Sequence, residues 1–315
     1  MRIHRLFGIR LASDFRFKSY LLAGEPPADL VFTFRSQATS GLPEPGAAAA
    51  FARPAFEEES AGYVDRLEAM DVVRFPGLAD FHVTEDRIDC HAREPGVVDL
   101  VEIHLLGSTL SYWLERRGIP TLHGSAVEVD EHAIGFLSSH SGGKTGLAAA
   151  MACREHRLLT DDILPVEEVG DAFLAQPGYP QMRMWPDEAA HFLDRWEELE
   201  TIHPRYSKRR VPVSTRRFCD RPRPLACLYL PRRRPLEETD QRVEIRALRR
   251  RDAVIELVRH SFSPYVVEEV GWQRRRLEFF ARLAERVPVR RLTYPSGFEQ
   301  LPRVCDEVVK DLGGI

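Results

Sequence analysis

The stretch Ser138-Ser139-His140-Ser141-Gly142-Gly143-Lys144-Thr145 follows the apolar run Ala133-Ile134-Gly135-Phe136-Leu137 and precedes Gly146-Leu147-Ala148-Ala149-Ala150-Met151. A short strand, a small-residue loop, Gly-Lys-Thr and a helix start constrain the fold more than any other feature of this chain. Together they make a phosphate cradle. Backbone N–H groups at a helix start bind phosphate oxygens, the lysine adds a point charge, and the threonine hydroxyl reaches a magnesium ion. The loop departs from the strict eight-residue pattern at its first place, where Ser138 stands instead of glycine.

Two adjacent carboxylates, Asp161 and Asp162, begin seventeen residues after Lys144. Standing alone, such a pair reads as a helix cap or a solvated turn. Its spacing from the loop says more. A helix of about twelve residues rises roughly 18 Å and a strand of about five returns roughly 16 Å. A strand over Arg157–Thr160 therefore carries the pair back to the end where the loop sits. Phosphoryl transfer needs a metal ligand and often a base at that place.

Composition limits the alternatives. The 315 residues suffice for one large or two modest domains, and 43% hydrophobic with 29% charged residues is ordinary for a soluble globular chain. No apolar stretch is long enough to cross a bilayer, and Met1-Arg2-Ile3-His4-Arg5 lacks a signal-peptide core. Five scattered cysteines (Cys90, Cys153, Cys219, Cys227, Cys305) lack metal-type pair spacing. The expectation is a reducing cytoplasm with free thiols. The net charge of −4 conceals a segment, 201–251, with sixteen Arg or Lys against five acids, a net of +11. It suits an anionic partner as well as it suits solvated arginines. No aromatic-interleaved RNA motif or recognition helix accompanies it, which argues against nucleic acid. Lysine is rare: only Lys18, Lys144, Lys208 and Lys310 occur, so a compact ammonium is retained at the centre of the loop.

Along the chain, residues 1–36 alternate as strands, 37–60 read as a loop or linker, and strands resume through Val72–Phe75, Phe81–Val83 and Arg87–Asp89. Leu100, Ile103, Leu106, Leu110, Trp113 and Leu114 recur at helical spacing until Gly118 and Pro120. Paired strands over Thr121–Val129 and Ala133–Leu137 precede the loop. Strands over Ile163–Glu168, Ala172–Gln176 and Leu225–Leu230 follow, with a helix from Pro186 to about Glu198 between the last two. Three further helices (about 249–261, 272–287 and 298–312) and a strand near Val289–Leu292 complete the reading. The expected division is a β-rich region over 1–117 and a catalytic domain over 118–315.

Leu122-His123-Gly124-Ser125-Ala126-Val127, then Gly135-Phe136-Leu137 into 138–145, then His156-Arg157-Leu158-Leu159-Thr160-Asp161-Asp162 resembles the HPr serine kinase family. The likeness is to stand-alone relatives of its catalytic domain, which include kinases of lasso-peptide precursors. Phe75–Phe81, Pro177–Asp187, Lys208-Arg209 and Val287–Leu292 resemble further segments of that group. The fold so implied is α/β, a P-loop kinase core of HPr-kinase type with an N-terminal β-rich (α+β) region.

The resemblance implies ATP and Mg²⁺ as donor and metal, and a serine hydroxyl of a peptide or small protein as acceptor, down to the C-terminal serine of a lasso-type precursor. It implies that Ser139, His140, Ser141, Gly142, Gly143, Lys144 and Thr145 bind the nucleotide, with Lys144 on the β/γ-phosphates. Thr145 and Asp162 would then hold the metal, Asp161 would serve as base with His123 beside it, and Lys208 or Arg209 would contact substrate or phosphate. The order of the two aspartates stays open, as does a homo-oligomeric state. Ser138 and Ser141 replace glycines common in that loop, and a second glycine- and asparagine-containing signature is missing, which argues against phosphorylase activity. A nucleotide-binding regulator without catalysis, or a small-metabolite kinase of the same fold, are the competing readings.

Overall fold

The computed structural model describes residues 1–36, 49–50, 62–138, 142–204, 206–235, 240–262 and 271–314. It is a mixed α/β protein with large β-sheets. The alternating first third pairs into a nine-stranded sheet: β1 (Arg2–Leu6), β2 (Ile9–Ser13), β3 (Leu22–Ala23), β4 (Leu30–Ser36), β5 (Ala49–Ala50), β6 (Tyr63–Arg66), β7 (Asp71–Phe75), β8 (Ala79–Val83) and β9 (Arg87–Ala92). The spatial order is β3-β1-β2-β4-β9-β8-β7-β6-β5. The strands expected at 72–75, 81–83 and 87–89 lie within β7, β8 and β9. Apart from β5, the linker expected at 37–60 lies outside the described residues.

The expected helix over 98–117 covers this sheet as α1 (Val98–His104), a π-helical turn (Leu105–Thr109) and α2 (Leu110–Arg116). Its apolar face buries Val101, Leu105, Leu106, Leu110, Trp113 and Leu114 against Phe32, Phe75, Phe81 and Ile88 of the sheet. Burial of side chains this size contributes roughly 2 kcal/mol apiece, which outweighs the irregular turn at Gly107. Ile163 and Tyr179, from beyond residue 117, complete the same core.

The second sheet is built from β10 (Thr121–Val129), β11 (His132–Leu137), β12 (Arg157–Thr160), β13 (Ile163–Val169), β14 (Ala172–Ala175), β18 (Arg223–Arg234), β19 (Glu244–Ala247) and β20 (Val289–Pro295). A three-stranded sheet of β15 (Gln181–Met184), β16 (Thr201–His203) and β17 (Tyr206–Pro212) lies beside it. In the second sheet, β10, β13, β14, β18 and β11 pair in a closed circuit. β11 and β12 both run antiparallel to β10, so they point the same way. Their C-terminal ends, Leu137 and Thr160, therefore lie at one edge of the sheet. That is the geometry the loop-to-aspartate spacing called for.

α3 (Lys144–Cys153) is buried nearly all round, because Ala148, Ala149, Ala150 and Ala152 let it fit between the sheet and α7 (Leu301–Leu312). α5 (Arg250–Arg259) and α6 (Gln273–Arg286) cover the opposite side through Leu257, Phe279, Phe280 and Leu283.

Three expectations need correction. The helix from Pro186 ends at Phe192, as α4 (Pro186–Phe192), and Trp196 lies in a separate 3₁₀ turn. Leu193 is extended (φ −137°, ψ 129°), and the chain swings out so that Trp196 lies against the Arg209 guanidinium of β17. β18 runs to Arg234, four residues past Leu230, because backbone pairing with β20 carries Arg232 and Arg233 without an apolar pattern. The last helix starts at Leu301, after a 3₁₀ turn at Phe298–Gln300. No described helix is long and apolar enough to cross a membrane.

Candidate functional site at the start of α3

Gly143 precedes α3 with φ +88°, a left-handed conformation that a residue with a Cβ adopts only under strain. Its carbonyl accepts the Leu147 N–H at 3.0 Å, which opens the helix. Lys144, only 7% exposed, folds its side chain back so that Nζ donates to the Ser138 carbonyl at 3.0 Å. Burial lowers its pKa, while Asp162 and Asp161 act in the opposite direction. Ser139, His140 and Ser141 lie outside the described residues.

Asp161 continues β12 and turns into the space between β10 and α3. Its Oδ1 accepts from Ser125 Oγ at 2.6 Å and Thr145 Oγ1 at 2.9 Å, and its Oδ2 accepts the Arg183 N–H at 2.9 Å. Three donors fix this carboxylate, which is 8% exposed. Asp162, at φ +76°, is a non-glycine residue in the left-handed region. Such a conformation costs of order 1–3 kcal/mol and collects at functional sites. It aims the second carboxylate away from the first. Asp162 Oδ2 accepts from Arg183 Nη1 at 3.1 Å, and Oδ1 lies 3.6 Å from His123 Nδ1. Burial alone would raise its pKa, but the charges of Arg183, His123, Lys208 and Lys144 outweigh that and hold it well below the usual carboxylate range. Asp162 is ionised at neutral pH.

β10 supplies His123 and Ser125 on one face, two residues apart, as the strand period requires. Between them Gly124 lets β11 approach, since a Cβ there would meet Leu137 Cδ2 at 2.5 Å and the Phe136 carbonyl oxygen at 2.9 Å. The carboxylates thus depend on the whole run His123-Gly124-Ser125.

Thr145 accordingly meets Asp161, and His123 meets Asp162. Of the two orders left open, these contacts are the converse of the one the resemblance implied first, with Asp162 in a left-handed turn. Lys208 sits with its Nζ 5.1 Å from the Trp185 ring centroid and adds its charge to the Asp162 side. Arg209, next along β17, faces the other way: its Nη1 donates to the Leu199 carbonyl at 2.8 Å and its guanidinium lies over Trp196. Of that pair, only Lys208 belongs to the carboxylate cluster.

Three further residues complete the cluster. Arg183 ties both aspartates together and also donates to Tyr179 Oη at 3.1 Å. Ser125, the last residue of His-Gly-Ser, donates to Asp161. Glu188 accepts the Trp185 N–H at 3.1 Å, and its Oε1 would stand 3.4 Å from a Cβ placed on Gly146. Burial pushes the Glu188 carboxyl up, against the pull of that hydrogen bond. Their register on β15 and α4, elements without a distinctive pattern, is what brings Arg183 and Glu188 to the site.

Among the described residues no cluster of three or more His, Cys, Asp or Glu is arranged to hold a metal ion. Magnesium does not need one, since it takes one or two protein oxygens and completes its shell with water and phosphate. Thr145 Oγ1 and Asp161 Oδ1, adjacent at 2.9 Å beside the start of α3, are hard oxygen donors that fit this role.

No protein-family model matches the chain. No curated protein matches it either. Among solved structures the chain is similar to the Hpr(Ser) kinase/phosphatase from Coxiella burnetii, with a TM-score of 0.32 and 11% identity over 61% of this chain and 94% of that one. The likeness is distant.

Proposed function

We propose that this chain is an ATP- and Mg²⁺-dependent kinase with a P-loop core over 118–315, acting on a serine hydroxyl of a peptide or small protein. The observation that carries this reading is the division of labour at the aspartates: Asp161 is locked onto Thr145 at the helix start, and Asp162 is ionised, partly exposed and flanked by cations. The N–H groups opening α3 and the Lys144 ammonium bind the phosphate tail. Thr145 and Asp161 would hold the metal, which when bound neutralises charge on the phosphate oxygens. Asp162 accepts the proton of the acceptor hydroxyl as its oxygen forms a bond to the γ-phosphorus. The bond from that phosphorus to the β-phosphate oxygen breaks, and ADP leaves. Lys208 and Arg183 offset the charge that develops on this side. The acceptor we favour within this class is the C-terminal serine of a lasso-type precursor, whose carboxylate suits the cationic side of the cluster.

The test is transfer of labelled γ-phosphate from Mg-ATP to a peptide ending in serine, by the wild type and by Lys144→Ala and Asp162→Asn. Loss of transfer in both variants, with unchanged circular dichroism, supports the assignment. Full activity in either overturns it. Nucleotide binding by the wild type without transfer to any peptide or small metabolite would make the chain a nucleotide-binding regulator.

A further inference from the structure

β18 and β20 run on beyond the end of β11. Phe136 of β11 pairs with Tyr229, while β18 continues in register with β20 as far as Arg234 opposite Pro295. The overhang past Leu137 is about four residues, or roughly 13 Å of strand. It passes alongside the turn that opens α3. Arg233 and its register partner Tyr294 lie on this overhang.

A Cβ placed on Gly143 would meet Tyr294 Oη at 3.0 Å and stand 4.0 Å from Arg233 Nε. Tyr294 is 1% exposed, and burial pushes its phenol up to about 12 although the neighbouring Arg233 opposes this, so it stays protonated as a fixed wall. Arg233 is exposed. Arg183 holds Asp162, and Lys208 adds its charge there. Lys144 lies beneath. At the foot of the turn, Ser138 is 5% exposed and its Oγ has no hydrogen-bond partner among the described residues, a buried polar atom next to the carbonyl that holds Lys144. An anionic ligand seated on 142–146 would therefore meet a cation below and a second one on the β18 side.

We propose that Arg233 binds the phosphate tail of a nucleoside di- or triphosphate seated on the 142–146 turn, gripping it from the β18 side while Lys144 grips it from below. The proposal rests on the nucleotide reading above and adds a residue on the β18 side of the turn. A guanidinium suits this position because its planar fork pairs with two phosphate oxygens at once. Arg232 is a neighbouring exposed arginine that the strand alternation places on the opposite face.

Calorimetric titration with Mg-ADP tests this on the full-length wild type, Arg233→Ala, Arg233→Lys, Arg232→Ala and Lys144→Ala. Arg233→Ala should weaken binding roughly tenfold or more, as expected for losing a hydrogen bond to a charged group. Arg233→Lys should fall between it and the wild type, and Arg232→Ala should stay within about twofold of the wild type. Thermal melting of each variant checks that folding is intact. If Arg233→Ala binds ADP as tightly as the wild type while Lys144→Ala does not, the proposal fails and the nucleotide site stands. Equal losses in Arg232→Ala and Arg233→Ala would also overturn it, because they would reflect general surface charge. A wild type that binds no ADP would overturn the nucleotide reading, and the role of Arg233 with it.

Discussion

Arg210 of β17 donates to Glu102 of α1 at 2.8 Å, with only 3% and 2% of the two side chains exposed. Glu102 also accepts from Ser19 Oγ at 2.6 Å and from the backbone N–H groups of Lys18 and Ser19 at 2.7 and 2.9 Å. Arg210 is the register partner of Arg183, so the ion pair ties the N-terminal region to the strand pair that carries Arg183 and Lys208. Thirteen residues on, Glu115 of α2 lies 2.9 Å from Arg276 of α6, again with both side chains buried. Arg276 also donates to Ser261 Oγ at 2.8 Å, next to His260, whose carbonyl accepts the His123 N–H at 2.7 Å. The two carboxylates thus anchor the helical segment to both flanks of the site.

Arg210→Ala should therefore destabilise the protein by about 3–5 kcal/mol, the usual effect of leaving one buried charge without its partner. Replacing both residues, as in Glu102→Leu with Arg210→Met, should recover much of that loss. Urea unfolding monitored by circular dichroism measures both. A single variant as stable as the wild type would show that the pair carries no structural weight.

Ser125→Ala removes one of the three donors that fix Asp161. Ser125 is fully buried, so no water replaces the hydroxyl at the carboxylate. The expected stability loss is about 1–3 kcal/mol. Phosphate transfer should fall by a comparable factor, roughly tenfold, because Thr145 and the Arg183 N–H still hold Asp161. Steady-state kinetics alongside unfolding distinguishes the two effects. A variant with wild-type stability and turnover would mean that the carboxylate needs no such support.

Gly143→Ala should impair nucleotide binding while leaving most of the fold intact. The φ of +88° strains any Cβ, and Tyr294 Oη at 3.0 Å has little room to retreat from its buried position. Adding Tyr294→Phe relieves only the contact, so the double variant should recover part of the affinity. Titration with Mg-ADP reads out both steps, and a single variant with unaltered affinity would mean that the turn has another shape when occupied.

The start of α3, β12 and the placing of the aspartate pair beside it were legible because they obey length arithmetic, and the return of β12 to the start of α3 follows from helix rise and strand rise alone. The long helix over 98–116 was legible from its apolar spacing. The roles of the two aspartates were not. They depend on the left-handed backbone at Asp162, a conformation that aspartate tolerates better than most residues but that its identity alone does not specify. Arg183, Arg210 and Arg233 were hidden among many arginines, since only pairing register separates an arginine that holds a carboxylate from one in solvent. The overhang of β18 was missed for the same reason: Arg232-Arg233-Arg234 reads as a surface run until β20 is seen beside it.

His260 gives a pH dependence with a defined direction. Burial is the main cause that lowers its pKa to about 4, with Lys144 and Arg259 acting the same way and Glu256, 3.6 Å away, opposing them. In the unfolded chain the imidazole takes up its proton near pH 6.5, whereas in the folded protein it does so only near pH 4. Between these values the unfolded state binds more protons, so acidification favours unfolding. The loss begins as pH falls through about 6.5 and levels off below about 4, where it approaches roughly 3 kcal/mol. His4, His82, His91 and His156 are shifted the same way, chiefly by burial, and add to the trend. His260→Gln keeps the backbone carbonyl that holds His123 and removes the titration. Its unfolding free energy, measured in urea from pH 7.5 to 4.5, should fall less steeply than that of the wild type. Parallel pH profiles for the two proteins would show that His260 is not held neutral in the fold.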